Sequence, residues 1–131
     1  MAKAVHSMIR VLDEQRSTAF YKTALDLTPA DRLDFDSFTL IYLRNPETTF
    51  ELELTVNKGR KEPYDLGDGY GHIAVVVDSL DSEHKRMEAA GLSPGPLRQI
   101  DHNGAKLGRF FFLQDPDGYK IEVIERGGRF R

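Results

Sequence analysis

The sequence contains no cysteine, which removes disulfides, thiolate metal ligands and cysteine nucleophiles from consideration. It contains no apolar run near the ~20 residues needed to cross a bilayer, and its first residues lack the apolar core of a signal peptide. A soluble, cytoplasmic protein with no membrane partner is the expectation. A basic stripe is missing too. The formal net charge is −3, and the two short basic runs, Lys58-Gly59-Arg60-Lys61 and Arg126 to Arg131, read as a solvated linker and a frayed C-terminus. No nucleic-acid partner is expected from that distribution.

What is present suits one globular domain. With 131 residues, 40% of them hydrophobic, and 8 Phe and 5 Tyr, the chain can bury a core. Charges make up 30% and are mixed in sign along its length. The expected domain is residues 1–131, built from two modules at about 4–57 and about 70–125.

The modules follow from a weak internal repeat. Ala4 to Val11 and Gly71 to Asp78 both read as strands with a histidine near the start. Each precedes a helical stretch: Glu14 to Leu25, with Phe20, Tyr21 and Leu25 at helical spacing, and Asp81-Ser82, an N-cap region, to about Ala90. Stop signals follow as Leu27-Thr28-Pro29 and as Gly91-Leu92-Ser93-Pro94, with Gly91 at the C′ position. Then come β-rich segments, Ser37–Leu43 and Thr49–Val56 in the first half, Arg109–Leu113 and Tyr119–Ile124 in the second. Asn45-Pro46 and Asp115-Pro116-Asp117-Gly118 supply the turns. Each half reads β-α-β-β-β, an α+β fold of paired modules, with residues 57–70 connecting them.

Polar residues with chemical potential fall at matching places. Glu53 lies 47 residues after His6, and Glu122 lies 50 residues after His72. Strand alternation puts His6, Met8 and Arg10 on one face, and Glu51, Glu53, Thr55 and Asn57 opposite the apolar Phe50, Leu52, Leu54 and Val56. Glu122 sits among apolar neighbours, where an unpaired carboxylate is costly. Singly, each of these residues is ordinary for a strand. Together, two imidazoles and two carboxylates make a mixed N/O set suited to Ni, Co, Zn, Fe or Mn with coordination positions left open. His84 and His102 have no such pairing and read as surface residues.

The segments His6-Ser7-Met8-Ile9-Arg10-Val11, Leu52-Glu53-Leu54-Thr55-Val56-Asn57, Gly69-Tyr70-Gly71-His72-Ile73-Ala74 and Asp115-Pro116-Asp117-Gly118-Tyr119-Lys120-Ile121-Glu122 resemble glyoxalase I, the lactoylglutathione lyase family of the vicinal-oxygen-chelate superfamily. The resemblance runs over roughly residues 5 to 125. It implies curved sheets forming a cup around a divalent metal, with His6, Glu53, His72 and Glu122 as ligands. It also implies a homodimer with sites at the interface, and Arg10 and Asn57 in contact with the glutathione moiety. The compact chain is similar to the nickel- or cobalt-activated bacterial class, with zinc left open. The implied reaction isomerises the methylglyoxal–glutathione hemithioacetal to S-lactoylglutathione by proton transfer through a metal-stabilised enediolate. Glu122 is the expected base and Glu53 its partner.

Two features depart from the family pattern. Residues 97–110 form a longer polar loop, where Arg98 or Lys106 is offered to the glutathione carboxylates, and Glu51 adds a third carboxylate to the site face. Another superfamily enzyme is the alternative: an acyl-CoA epimerase with Lys58, Arg60 and Lys61 for the phosphates, or a dioxygenase, against which a fourth ligand at Glu53 counts. A non-catalytic small-molecule binder would be expected to lack the ligand set.

Overall fold

The computed structural model describes residues 1–131, which divide into two compact units, Met1–Asp65 and Leu66–Arg131. The first unit runs β1 (His6–Arg10), α1 (Glu14–Leu25), β2 (Thr28–Asp34), β3 (Phe38–Arg44) and β4 (Glu51–Asn57). The second runs β5 (His72–Val77), α2 (Leu80–Ala89), β6 (Arg98–His102), β7 (Ala105–Gln114) and β8 (Lys120–Glu125). Both are β-α-β-β-β, and both sheets share one strand order, β1-β4-β3-β2 and β5-β8-β7-β6. In each, the first strand pairs in parallel with the last, and the remaining pairs are antiparallel. A parallel neighbour cannot be reached by a tight turn, so each helix serves within the crossover that brings first and last strands together.

Alternation sets the buried faces. In the first unit Ile9, Ile41, Leu43, Leu52 and Leu54 are buried from the sheet, and α1 buries Ser17, Phe20, Tyr21 and Ala24 along one stripe. In the second, Phe111, Leu113, Ile121 and Val123 are buried from the sheet, and α2 buries Leu80 and Met87, two turns apart.

The helix ends differ in part from expectation. Helix α1 starts at Asp13, whose carboxylate accepts from the Arg16 amide at 2.8 Å. It is closed by Asp26 in the left-handed region at φ 53°, and not by Pro29. Pro29 lies inside β2 beside a register shift; β2 is the edge strand, where a missing N–H leaves no ladder bond broken. Helix α2 begins after Ser79, ahead of the expected Asp81-Ser82. Its other end is a Schellman cap: Gly91 has φ 76°, its amide donates to the Glu88 carbonyl, and the Leu92 amide donates to that of Met87.

The segment expected as a polar loop, 97–110, is a hairpin. Strands β6 and β7 are joined by Asn103-Gly104, with φ 51° and 76°, as a two-residue turn of the primed kind requires. The tail is not frayed either. Gly127 and Phe130 exchange backbone hydrogen bonds, and the Phe130 ring covers Gly108, where an added Cβ would come within 3.1 Å of it.

Gly91 has open space where a side chain would sit, so only its backbone conformation constrains it. Gly91→Ala is therefore expected to cost about 1 kcal/mol in denaturant unfolding with catalytic constants unchanged.

Candidate metal centre

The parallel β1–β4 pairing sets Met8 opposite Glu53 and His6 opposite Glu51, so the His6 side chain rises on the same face as Glu53. Their contact is direct: His6 Nε2 lies 2.8 Å from Glu53 Oε2. The second unit repeats it. Strand β5 pairs in parallel with β8, and His72 Nε2 lies 2.9 Å from Glu122 Oε2. The four expected ligands thus stand as two His–Glu pairs, one per unit. No group of three or more His, Asp or Glu side chains is assembled in the chain to hold a metal ion.

An aromatic ring stands beside each pair. Tyr42 stands opposite Glu53 on β3 and meets the His6 ring edge-on at 5.8 Å. Phe112 stands opposite Glu122 on β7 and meets His72 edge-on at 5.4 Å. Burial, followed by the charge and hydrogen bond of Glu53, pushes the Tyr42 phenol above its ordinary pKa. Neither aromatic had drawn attention in the sequence, although each sits at the same strand position of its module.

The two carboxylates differ in exposure. The Glu53 side chain is 9% exposed and that of Glu122 is 20% exposed. The carboxylate singled out for apolar neighbours, Glu122, is the less buried of the two; its flanking Ile121 and Val123 point to the opposite face, as Leu52 and Leu54 do beside Glu53, and so enclose neither. Glu51 does not join the pair; it is turned toward Arg44, 4.0 Å away.

Arg10 lies exposed on the His6 face of β1. Asn57 closes β4 and donates through its side-chain amide to the Tyr64 hydroxyl at 2.9 Å. Between Glu53 and Asn57 on that face, the Thr55 hydroxyl is buried and has no hydrogen-bond partner. In the second unit a cavity of about 380 Å³ opens beside His72, walled by Leu66, Tyr70, Phe112, Gly118 and Lys120.

Lys58, Arg60, Lys106 and His84 are engaged elsewhere. Lys58 is held by Asp34 at 2.9 Å, and Arg60 lies over the Tyr64 ring while donating to the Glu62 and Pro63 carbonyls. Lys106 approaches Glu125 at 3.6 Å. His84, expected at the surface, is largely covered: its Nε2 lies 2.8 Å from the Gly95 carbonyl oxygen and its ring packs edge-on against Phe111. His102 ends β6 and is exposed.

The model of the glyoxalase/bleomycin resistance protein/dioxygenase superfamily matches residues 3–123. The chain belongs to that superfamily. Within the glyoxalase superfamily it is of the glyoxalase I lyase type. It is 37% identical to a lactoylglutathione lyase of Salmonella typhimurium, covering 94% of this chain and 92% of that protein. A solved glyoxalase I of Leishmania major, described as trypanothione-dependent, is 34% identical with a TM-score of 0.76, over 95% of this chain and 87% of that one. Maize glyoxalase I is 30% identical with a TM-score of 0.78, over 96% of this chain but 45% of that one.

The glyoxalase pairs fit a metal by their own geometry. Two ligand atoms, each ~2.1 Å from a cation and set at right angles about it, stand roughly 3 Å apart. The observed His Nε2 to Glu Oε2 separations are 2.8 and 2.9 Å. Without metal, these atoms satisfy one another. Glu53→Ala is expected to cost 1–2 kcal/mol in the metal-free protein, on the order of a charged hydrogen bond removed from a buried site. Glu122→Ala, with one aromatic C–H edge in place of the phenol, is expected to cost less. Urea unfolding of the two variants measures the difference.

Proposed function

We propose that the protein is a metal-dependent lactoylglutathione lyase. It isomerises the hemithioacetal of methylglyoxal and glutathione to S-lactoylglutathione. The observation that carries this reading is the repeated His–Glu pair, at the same place in two copies of one strand plan, in a chain whose relatives bear that name.

His6 and Glu53 would hold a divalent cation together with His72 and Glu122, with nickel or cobalt favoured over zinc. Two neutral imidazoles and two carboxylates balance the charge of such an ion. The site would be assembled in a homodimer, where the pair from one subunit meets the other pair from its partner. The two modules would then act as one functional domain in each subunit. When bound, the cation supplies Lewis-acid stabilisation of the negative charge that develops on the two adjacent substrate oxygens.

The chain's own residues move the proton. Glu122 takes it from the C–H carbon of the hemithioacetal; the electron pair stays in the resulting enediolate. Glu122 then returns the proton to the neighbouring carbon while the hydroxyl proton of the first carbon passes to the neighbouring oxygen, leaving a thioester beside a new hydroxyl, so no redox partner is needed. Glu53 completes the carboxylate pair. Arg10 offers a fixed positive charge, and Asn57, held by Tyr64, offers an oriented amide to the glutathione moiety. The unpartnered Thr55 hydroxyl between them supports a polar ligand on this face. Lys120, in the cavity beside His72, is a further cation for a substrate carboxylate. The engagement of Lys58 by Asp34 and of Arg60 by the Glu62 carbonyl weighs against a coenzyme A phosphate site there.

Metal stripping should abolish lactoylglutathione formation, and nickel or cobalt should restore more activity than zinc. Glu122→Gln should lower kcat by roughly 10²- to 10⁴-fold while retaining the metal. Thioester absorbance with methylglyoxal and glutathione follows the reaction. Tight metal binding without turnover would overturn the glutathione assignment.

A further inference from the structure

One covered histidine has no part in the chemistry described so far. His84, on α2, has a side chain 13% exposed, and its ring stands edge-on to Phe111 with centroids 5.0 Å apart. Its Nε2 lies 2.8 Å from the Gly95 carbonyl oxygen. A carbonyl only accepts, so Nε2 carries a proton and donates it. Its Nδ1 stands 3.9 Å from the Glu88 carboxylate, beyond hydrogen-bond distance.

Gly95 is the middle residue of Pro94-Gly95-Pro96. Neither proline has an N–H to offer, so Gly95 supplies the one amide of this segment. That amide donates to the Phe112 carbonyl at 2.8 Å, ahead of the β6–β7 ladder that begins at Arg98 and Phe110. Gly95 therefore bridges helix and strand, its carbonyl held by His84 and its amide by Phe112. The approach is close: a Cβ on Gly95 would lie 3.2 Å from the Phe112 carbonyl oxygen. Its φ is not positive, so this approach, and not backbone conformation, is what calls for glycine. Phe112 is the residue whose ring meets His72 edge-on at 5.4 Å and walls the cavity of about 380 Å³.

We propose that His84 is a positioning residue for this cavity: through Gly95 it holds β7 at Phe112 and so sets the Phe112 ring against His72. His84 does not line the cavity itself; its effect passes through two hydrogen bonds of 2.8 Å each. Without the imidazole donor, the half-buried Gly95 carbonyl has to turn toward water, and the bond from its amide draws the Phe112 backbone with it. The kinetic consequence, a looser fit of substrate against the cavity wall, rests on the lyase reading above.

The test begins in the metal-free protein. The His72 Cε1–H proton resonance, assigned by its loss in His72→Gln, reads the place of the Phe112 ring through the ring current. His84→Phe keeps a flat ring beside Phe111 and removes the donor, and should shift this resonance. His84→Gln restores a donor at about the reach of Nε2 and should return it toward the parent position. Gly95→Ala, which leaves His84 untouched, should shift it as well. Met87→Leu alters the buried face of α2 without cutting the link and should leave it in place. With metal restored, His84→Phe should raise KM for the hemithioacetal by up to roughly tenfold with kcat nearly held. Thermal midpoints show which variants are folded; should His84→Phe not fold, Gly95→Ala carries the test. A His72 resonance unmoved in the folded variants overturns the role of His84, as does an equal shift in Met87→Leu. A parent protein that forms no lactoylglutathione overturns the lyase reading alone, because the resonance is read without substrate.

Discussion

The parallel pairing of the first and last strands of each unit is the constraint from which the site follows. In the register His6↔Glu51 and Met8↔Glu53, a histidine and a glutamate on adjacent strands rise from one face within hydrogen-bond distance. The register His72↔Lys120 and Ala74↔Glu122 does the same in the second unit. Side chains alternate with a period of two, so a slip of one residue would send either partner into the apolar layer. The register is held because that layer is tightly specified: Ile41, Leu43, Leu54, Phe111, Ile121 and Val123 are wholly buried on the other face. The core therefore fixes the chemistry indirectly, by leaving each sheet one way to align.

Duplication of the plan gives two closely similar His–Glu pairs. The strand order is the same in both units, the His–Glu contact is nearly the same length, and an aromatic ring stands edge-on to each histidine. Against this shared frame, the two rings differ by one hydroxyl and the two carboxylates by their burial.

Polar features that had looked available are mostly occupied. Lys58, Arg60 and Lys106 are paired or hydrogen-bonded nearby, and Glu51 faces Arg44. His84 supports the packing of α2 on β7 through Gly95 and Phe111. Thr55 and Asn57 follow Glu53 on its face of β4, and Lys120 lines the cavity beside His72.

Local signals in the sequence carry over where they are strong. The β-α-β-β-β order was legible from periodicity and stop signals, Gly91 from its place after a helix, and the two His–Glu pairs from matched spacing. Asn103-Gly104 was an equally strong hairpin signal within 97–110, obscured by the polar residues around it, which face solvent on an edge strand and so show no alternation of apolar character. What residue order determined alone was which groups share a strand face, because alternation is a local property. Which strands become neighbours, and in what register, was decided by pairing between segments, more than 40 residues apart for β1 with β4 and β5 with β8, and about ten apart for the residues that face Glu53 and Glu122. For that reason Tyr42 and Phe112, unremarkable along the chain, are found opposite the two glutamates. Burial likewise depends on packing from both faces, and it made Glu53, not Glu122, the more enclosed carboxylate.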